Sequence, residues 1–198
     1  MRGTEFRRKL LTKAADFAET FIITLFTVSL VFVYAFRTTT VTGISMSPTL
    51  EEGDRVLLTS WYSSPEQGDV VVINARHAVT LDSSRNTAVR DGSGGYIVKR
   101  IIAVSGQTVD FDFNRGVVYV DDKVLDEPYI SGLTHLDEGA FTGMYPVTVP
   151  DGYLFVMGDN RRDSRDSRDS ILGFVPEEDV EGKVVFRLSP LRRVGFVH

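Results

Sequence analysis

Ser45 has the residue type and the local sequence of a nucleophile held in a turn. It lies in residues 43–50, GISMSPTL, where Pro48 favours a turn. A serine hydroxyl attacks a carbonyl carbon only when a base takes its proton. The three histidines lie far apart in the sequence, so the next candidate base is a lysine that burial keeps neutral. The alternative is a purely structural turn, in which the serine hydroxyl bonds the backbone.

Lys99 is the lysine whose surroundings suit that role. It lies in residues 96–103, YIVKRIIA, which have the β-branched composition of a strand. Because side chains alternate along a strand, Lys99 and Arg100 fall on opposite faces, each beside apolar neighbours. One basic side chain therefore shares a face with isoleucines, and the sequence does not decide which one is buried. The alternative is an edge strand whose Lys99 points to solvent.

A third candidate segment combines a strand end with a charged repeat. Residues 153–157 predict a strand, and Gly158-Asp159-Asn160 follows as a turn. Residues 162–170 then repeat the tripeptide Arg-Asp-Ser three times. Alternating charges are typical of a solvated loop. A loop at the end of a strand is also where a rigid sheet presents side chains to a site.

The composition excludes several classes of protein. The chain has 198 residues, of which 42% are hydrophobic and 25% charged, and this suits one packed domain. The formal net charge is -5, from 22 basic and 27 acidic residues, which argues against binding nucleic acid through its phosphates. The absence of cysteine excludes disulfides, thiolate zinc sites and cysteine nucleophiles. We expect neither a metal site nor a cofactor.

An uncharged apolar segment, residues 20–36, lies near the N-terminus. As a helix it spans about 25 Å, the lower end of a membrane crossing. A cleaved signal peptide would have a shorter apolar region and a small-residue cleavage site, which residues 34–37 do not offer. A buried core helix would have polar positions at helical spacing on one face. An uncleaved anchor therefore fits the segment best.

The charges around this segment predict its orientation. Only Arg37 follows it directly, whereas five basic residues precede it, namely Arg2, Arg7, Arg8, Lys9 and Lys13. The positive-inside rule then predicts a single crossing with a cytoplasmic N-terminus. The predicted parts are a cytoplasmic basic segment (1–19), a transmembrane anchor (20–36) and an extracytoplasmic domain (37–198). Ser45 lies nine residues beyond Phe36, at most about 30 Å of extended chain, so we expect it near the outer membrane surface.

Beyond residue 37 the sequence predicts a mainly β domain of antiparallel strands. Short β-branched and aromatic runs alternate there with Gly, Pro, Asp and Ser clusters. Asp121-Asp122 predicts a tight hairpin, residues 176–180 one helical turn, and residues 76–95 a mobile loop. The predicted strands are Arg55–Leu58, Asp69–Ile73, Tyr96–Ala103, Thr108–Phe113, Gly116–Val120, Tyr153–Met157 and Lys183–Arg187.

Four segments, in order, resemble the motifs of the bacterial type I signal peptidases, membrane-anchored proteases with a Ser–Lys dyad. Residues 45–50 (SMSPTL) are similar to the family's S-M-x-P-T-L box, and residues 68–72 (GDVVV) to its G-D-V-V strand. Lys99-Arg100 is similar to the K-R of its base box, and residues 158–168 (GDNRRDSRDSR) to its G-D-N-R-x-x-S-x-D-S-R box. Two alternatives are a Ser–Lys autoprotease of the SOS-repressor type, which would carry a DNA-binding domain, and a non-catalytic anchored β domain.

The resemblance implies a serine endopeptidase that removes signal peptides from secreted preproteins at the bacterial cell membrane. Its implied partners are signal peptides and the lipid bilayer. Ser45 would be the nucleophile, Lys99 the general base, and Ser164 the hydroxyl that orients the lysine amine. The Ser45 backbone N–H would stabilise the oxyanion.

Further residues receive supporting roles from the same resemblance. Asp159, Asp166 and Arg168 would hold the loop, with Arg168 paired to either acid. Three apolar residues flank the dyad in sequence and would line the small pockets that select alanine at positions −1 and −3 of the signal peptide. These are Met46, Leu50 and Val98.

The chain departs from the family's pattern at several places. Gly43 stands where many relatives have a serine that donates a second hydrogen bond to the oxyanion. Ser105-Gly106-Gln107 replaces the usual P-G-D after the lysine strand. The repeat makes Ser167 a second candidate partner of Lys99, and the family's register selects Ser164.

Overall fold

The computed structural model describes residues 2–62 and 64–198, except for the side chains of residues 2–10 and 12. The chain divides into two compact units, Met1–Arg37 and Thr38–His198. The first unit is mostly helix, and strands are the main regular secondary structure of the second. This agrees with the predicted class, an apolar helix followed by a mainly β domain.

The first unit is the helix α1, Arg2–Ala35. Its segment Lys13–Ala35 is 23 residues long, apolar, and sufficient by length and composition to cross a membrane. The side chains from Lys13 to Tyr34 are exposed, so this helix is not the buried core helix of a soluble domain. The basic residues that carry most of the orientation argument lie outside the described side chains, namely Arg2, Arg7, Arg8 and Lys9.

Beyond α1, the part of the chain that the structure describes consists of strands joined by turns, loops and two short 3-10 helices. The strands are β1 (Phe36–Thr40), β2 (Arg55–Thr59), β3 (Val70–Asn74), β4 (His77–Leu81), β5 (Thr87–Asp91), β6 (Tyr96–Val104), β7 (Thr108–Asp112), β8 (Val117–Val120), β9 (Lys123–Val124), β10 (Val147–Thr148), β11 (Tyr153–Met157), β12 (Val175–Pro176), β13 (Val180–Ser189) and β14 (Gly195–Phe196). The 3-10 helices are Glu177–Asp179 and Leu191–Arg193.

The largest sheet carries the candidate site. Its order is β1-β2-β13-β3-β6-β11-β12, with β14 paired to β13. Strand β6 lies in the interior of this sheet, antiparallel to both β3 and β11. Val71 of β3 lies opposite Lys99, and Val70 lies opposite Arg100. The edge-strand alternative for Lys99 is therefore wrong.

The other sheets are smaller. One has the order β10-β7-β8-β9, and the other pairs β4 with β5. The predicted hairpin at Asp121-Asp122 is confirmed, because it joins β8 to β9 and both residues have positive φ, 51° and 61°. Two adjacent residues with positive φ are the geometry of a two-residue hairpin turn.

The prediction of a mobile loop over residues 76–95 is wrong. Strands β4 and β5 pair across this segment in register from His77↔Asp91 to Leu81↔Thr87. Val79 is fully buried, and its backbone exchanges hydrogen bonds with the carbonyl of Leu172 (2.9 Å) and the N–H of Phe174 (2.7 Å). The polar composition misled the prediction because β5 is itself polar and mostly exposed, and only β4 contributes buried side chains.

The hydrophobic core lies on both faces of the large sheet. One cluster packs beneath the residues that follow β1 and includes Val41, Met46, Leu50, Val56, Leu58, Val70, Val72 and Val184. A second cluster backs β6 and β11 and includes Val71, Ile73, Ala75, Ile101, Leu154, Val156, Leu172 and Val175. A third is rich in aromatic rings and centres on Phe141, Phe155 and Phe174. The site is thus built on well-packed strands.

Candidate active site

Ser45 lies in a tight turn that the hydrophobic core anchors. The Ser47 N–H donates to the Ile44 carbonyl at 3.1 Å, and the Leu50 N–H donates to the Met46 carbonyl at 2.9 Å. Met46 and Leu50 are 1% and 0% exposed, so the turn cannot shift without disturbing the core. Ser45 itself remains half-buried at the top of the turn.

Lys99 meets Ser45 from β6. Its Nζ lies 2.8 Å from Ser45 Oγ, within hydrogen-bond distance, and its side chain is almost fully buried. Burial lowers the pKa of Lys99 from its ordinary value of 10.5, against the opposing effect of the carboxylates of Asp166 and Asp159. A lysine held in this way can be a neutral base, and the hydroxyl within its reach can be the nucleophile.

Arg100, the next residue of β6, is buried as well but on the opposite face. Its Nε and Nη2 donate to the two carboxylate oxygens of Asp159 at 2.8 and 2.7 Å. A guanidinium keeps its proton in proteins, so its burial requires a counter-charge. The question left open by the sequence is therefore answered: both basic residues are buried, Arg100 as an ion pair and Lys99 with a lowered pKa.

The turn after β11 holds the backbone of Ser45. The Asn160 N–H donates to the Ser45 carbonyl at 3.0 Å, and the Asn160 side-chain amide donates to the Ile44 carbonyl at 3.3 Å. The Ile44–Ser45 peptide is trans, so the Ser45 N–H points away from the Ile44 carbonyl, which accepts from the Asn160 side chain. The Thr49 hydroxyl donates to Asp159 at 2.5 Å. This hydrogen bond links the turn after β11 to the C-terminal end of the segment that contains Ser45.

Asp166 and Arg168 form the second buried ion pair of the site. Arg168 Nε and Nη2 donate to Asp166 at 2.9 Å each, and the Gly158 N–H donates to the same carboxylate at 3.1 Å. Arg168 therefore pairs with Asp166, while Asp159 pairs with Arg100. The two charges of this pair act on the pKa of Lys99 in opposite directions: Asp166 raises it and Arg168 lowers it.

The two candidate helper serines differ in their surroundings. The Val156 N–H donates to Ser167 Oγ at 2.9 Å, so this hydroxyl is committed to the backbone of β11. Ser164 Oγ is buried and has no hydrogen-bond partner among the described residues. The expected hydrogen bond from Ser164 to Lys99 is therefore not present, because Ser164 instead packs against Gly158.

Two cavities open at Ser45 and Lys99. The first has a volume of about 390 Å³, and its walls come from Thr39, Thr40, Thr42, Val72 and residues 96–99. The second, about 290 Å³, is lined by Ser93, Ile97, Arg165, Ile171 and Leu172. Ser45 and Lys99 are part of both linings.

Of the three predicted pocket residues, Val98 lines the first cavity. Met46 and Leu50 do not line either of these cavities, and their role as pocket walls stays a prediction. Both side chains point into the core cluster beneath the turn. Apolar residues beside a nucleophile can either line a pocket or anchor the turn, and here they anchor it.

Sequence reasoning missed several residues that support the site. Arg161 is buried and donates to both carboxylate oxygens of Glu127 and to Thr134. Glu138 lies 3.8 Å from Arg168, and burial raises its pKa to about 7. Glu127 and Glu138 lie in an irregular segment 34 and 30 residues from their arginines, respectively, and no local pattern signals such contacts.

No group of three or more His, Asp or Glu side chains suited to a metal ion occurs among residues 2–62 and 64–198. The acidic side chains near Ser45 are instead occupied by arginines.

The chain resembles known proteins over most of its length. Residues 14–189 match the family model described as "Signal peptidase, peptidase S26". A probable signal peptidase I-1 of Synechocystis is 38% identical over 76% of this chain and 70% of its own length. The signal peptidase I S of Bacillus subtilis is 30% identical over 90% of this chain and 91% of its own length. A crystal structure of a signal peptidase I from Enterococcus faecalis aligns with 26% identity and a TM-score of 0.44, over 62% of this chain and 97% of that one.

The protein is a serine endopeptidase in which an antiparallel β domain follows an apolar helix in the sequence. More specifically, the chain belongs to the signal peptidase family, peptidase S26, whose members remove signal peptides from preproteins with a Ser–Lys dyad.

Proposed function

We propose that Ser45 is the nucleophile and Lys99 the general base with which this protein removes signal peptides from preproteins. The observation that carries the proposal is the 2.8 Å separation of Lys99 Nζ from Ser45 Oγ in a buried setting. A base must lie within hydrogen-bond reach of the proton it takes, and this one does. Its lowered pKa makes the neutral amine accessible nearer to neutral pH.

The reaction would proceed in two halves. Lys99 takes the hydroxyl proton while Ser45 Oγ attacks the scissile carbonyl carbon, and the Ser45 N–H donates to the oxygen that becomes negative. The C–N bond then breaks, and the protonated lysine gives its proton to the leaving amine. In the second half, neutral Lys99 takes a proton from water, whose oxygen attacks the ester on Ser45. The ester C–O bond then breaks, protonated Lys99 returns its proton to Ser45 Oγ, and the product leaves as a carboxylic acid that gives its remaining proton to solvent.

Ser164 is proposed as the positioning residue for the Lys99 amine. Support comes from its burial and from its hydroxyl being unpartnered, while Ser167 is engaged by Val156. A buried hydroxyl without a partner costs free energy unless some state of the site uses it. Protonation of Lys99 during the reaction adds a donor that Ser164 could accept from.

The loop residues are proposed to act through structure. Asp159 keeps Arg100 buried and holds Thr49, and Asp166 keeps Arg168 buried and holds the Gly158 N–H. Neither carboxylate needs to contact substrate in this proposal. Their loss would displace the turn that holds Ser45.

The first cavity is proposed to bind the residues before the scissile bond. It has no charged wall apart from Lys99, and Val98, Val72 and Ile97 provide apolar surface. In an extended peptide the side chains at −1 and −3 point to the same face, so one cleft can read both. Small apolar residues such as alanine fit this surface without leaving a charge unsolvated.

We further propose that Lys13–Ala35 spans the bacterial cell membrane once, with the N-terminus in the cytoplasm and residues 37–198 outside. An exposed apolar helix of this length requires a lipid partner, and the preceding basic residues favour the cytoplasmic side. The net charge of -5 makes nucleic acid an unsuitable partner. Protease added to cells stripped of their wall should cut within residues 37–198. Protection of these residues until the cells are lysed would show the opposite orientation.

The activity is tested with the detergent-solubilised full-length protein and a preprotein. Mass spectrometry of the product should show one new N-terminus at the end of the signal peptide. Ser45→Ala should abolish the product, whereas Ser47→Ala, two residues away in the same turn, should retain it. Cleavage by Ser45→Ala at the wild-type rate would refute the assignment of the nucleophile.

A further inference from the structure

The three arginines of the Arg-Asp-Ser repeat occupy three different environments. Arg168 is fully buried against Asp166, and Arg162 is exposed beside Gly132. Arg165 is exposed too, but it lines the second cavity together with Ser45 and Lys99. Identical tripeptides therefore place one guanidinium in the core, one at the surface and one at the candidate dyad.

Arg165 has no internal partner that would explain its position. Within residues 2–62 and 64–198 it makes neither a hydrogen bond nor an ion pair, whereas Arg161 and Arg168 on either side are fully paired. An unpaired guanidinium at the edge of a cavity is available to a ligand. Its planar donors suit a carboxylate best.

A substrate chain has to pass both cavities. In the proposed reaction the scissile carbonyl lies at Ser45, which is shared by the two linings, so the residues before that bond and those after it can each occupy one of the two cavities. The first cavity, without a charged wall of its own, suits the small apolar residues of a signal peptide. The second cavity then receives the residues that follow the scissile bond.

The lining of the second cavity supports this assignment. Ile171 and Leu172 offer an apolar wall for the stem of a side chain, and Arg165 offers a positive charge at its end. An acidic side chain satisfies both features. A lysine or arginine there would face a like charge that nothing in the cavity lining offsets, since its other members are uncharged apart from Lys99.

We infer that the cavity lined by Arg165, Ile171 and Leu172 binds the first two residues of the mature protein, and that Arg165 makes the enzyme prefer an acidic residue there. The inference rests on the proposed function, because it concerns the leaving side of the same cleavage. It adds a specificity determinant on the side of the substrate that is released.

The test compares preproteins that differ only at the first or second residue after the cleavage site, with Glu, Gln or Lys in turn. For the wild-type enzyme, kcat/KM should be highest for Glu and lowest for Lys. Because Arg165 is exposed, the difference between Glu and Gln should be about two- to fivefold at low salt and smaller at high salt. Arg165→Gln should remove the preference, and Arg165→Glu should invert it in favour of Lys.

Arg162→Glu is the matched control, since it makes the same charge change three residues away and outside the cavity. It should leave the ratio of Glu to Lys substrates unchanged. If Arg165→Glu alters that ratio no more than Arg162→Glu does, the inference is wrong even though cleavage continues. If the wild-type enzyme cleaves none of the substrates, the proposed function fails instead.

Discussion

Arg100 and Asp159 form an ion pair with two hydrogen bonds, on the face of β6 opposite to the lysine of the candidate dyad. Both guanidinium–carboxylate hydrogen bonds are shorter than 2.9 Å, and neither side chain is more than 2% exposed. Asp159 also accepts the hydroxyl of Thr49, and Arg100 donates to the Gly68 carbonyl at 2.7 Å. This pair therefore joins the lysine strand, the serine turn and the loop that follows β11.

Asp159→Asn should destabilise the domain severely. The substitution leaves the Arg100 charge buried without its counter-charge, a change that typically costs about 3–5 kcal/mol. Chemical unfolding of the purified protein measures the loss. Asp163→Asn, an exposed residue of the same loop, is the control and should change the free energy of unfolding by less than about 0.5 kcal/mol. Equal stability of the two variants would contradict the role given to the pair.

The sequence predicted the strands better than the contacts between them. β6 was evident from its β-branched run, but the burial of Arg100 depends on Asp159, which lies 59 residues away. No local pattern encodes such a pairing. In the same way, the apolar side chains of Met46 and Leu50 suit either a pocket wall or an anchor of the turn. Only the packing of the turn on the core shows that they anchor it.

The polar repeat shows a similar limit. Three identical tripeptides give no local reason to bury one set of side chains and expose another. The position of Gly158 at the end of a strand was evident from the sequence, and it predicted a site there. The burial of Ser164, Asp166 and Arg168 comes from the chain folding back under β11, where Val156 and Gly158 supply the hydrogen bonds.

Gly158→Ala should impair the site without changing any of its chemical groups. A Cβ on Gly158 would lie 2.5 Å from the Ser45 carbonyl oxygen and 2.6 Å from Ser164 Cβ, so both residues have to move. Misplacing a nucleophile by about 1 Å can lower the rate on the order of a hundredfold, and we expect kcat to fall at least tenfold.

Gly195→Ala is the control for that experiment. Gly195 lies in strand β14, has no positive φ, and has nothing within 4 Å of the position a Cβ would take. Its substitution should leave kcat and stability near those of the wild type. Full activity of Gly158→Ala would mean that Ser45 and Ser164 are not held where the structure has them.

Ser164→Ala and Ser167→Ala should separate positioning from folding. We expect Ser164→Ala to lower kcat by roughly ten- to a thousandfold, about 1.4–4 kcal/mol in the barrier, and to shift the pH dependence of kcat/KM. Ser167→Ala leaves the buried Val156 N–H without its acceptor, which costs about 1–3 kcal/mol of stability. Loss of turnover in a well-folded Ser167→Ala, with Ser164→Ala active, would show that the register is displaced by one repeat.

Glu138→Gln should change how stability depends on pH. Burial raises the pKa of Glu138 to about 7 from an ordinary value of 4.5, so the folded protein holds this proton more tightly than the unfolded chain. The resulting stability is complete below pH 4.5 and is lost as the pH rises through about 7. Glutamine mimics the protonated acid, so the variant should gain stability over the wild type between pH 5 and 8.

Unfolding free energies measured across that range test the prediction. Glu178→Gln, at an exposed position, is the control and should follow the wild-type curve. The Glu138 charge also raises the pKa of Lys99, so Glu138→Gln should move the alkaline rise of activity to lower pH. Parallel stability curves for the wild type and Glu138→Gln would show that Glu138 ionises at its ordinary pKa.

Lys99 should make activity depend on one ionisation below the ordinary lysine range. Burial lowers its pKa from 10.5, and only the neutral amine can accept the Ser45 proton. The rate should therefore rise with pH through the lowered pKa and then level off. Lys99→Arg should be inactive although it keeps the charge, because a guanidinium does not lose its proton in proteins. Rates of each variant on one preprotein across pH 6–10 test both statements.

Lys99→Met should also be inactive, yet at least as stable as the wild type. The unfolded chain binds the lysine proton up to about pH 10.5, whereas the folded protein releases it earlier, so the wild type gains stability as the pH rises between the two values. The advantage of Lys99→Met in free energy of unfolding should thus be largest at low pH and shrink toward pH 10.5. A change of one in the pKa corresponds to about 1.4 kcal/mol. Turnover by Lys99→Met or Lys99→Arg above a few per cent of wild type would remove Lys99 as the base, whatever the stability curves show.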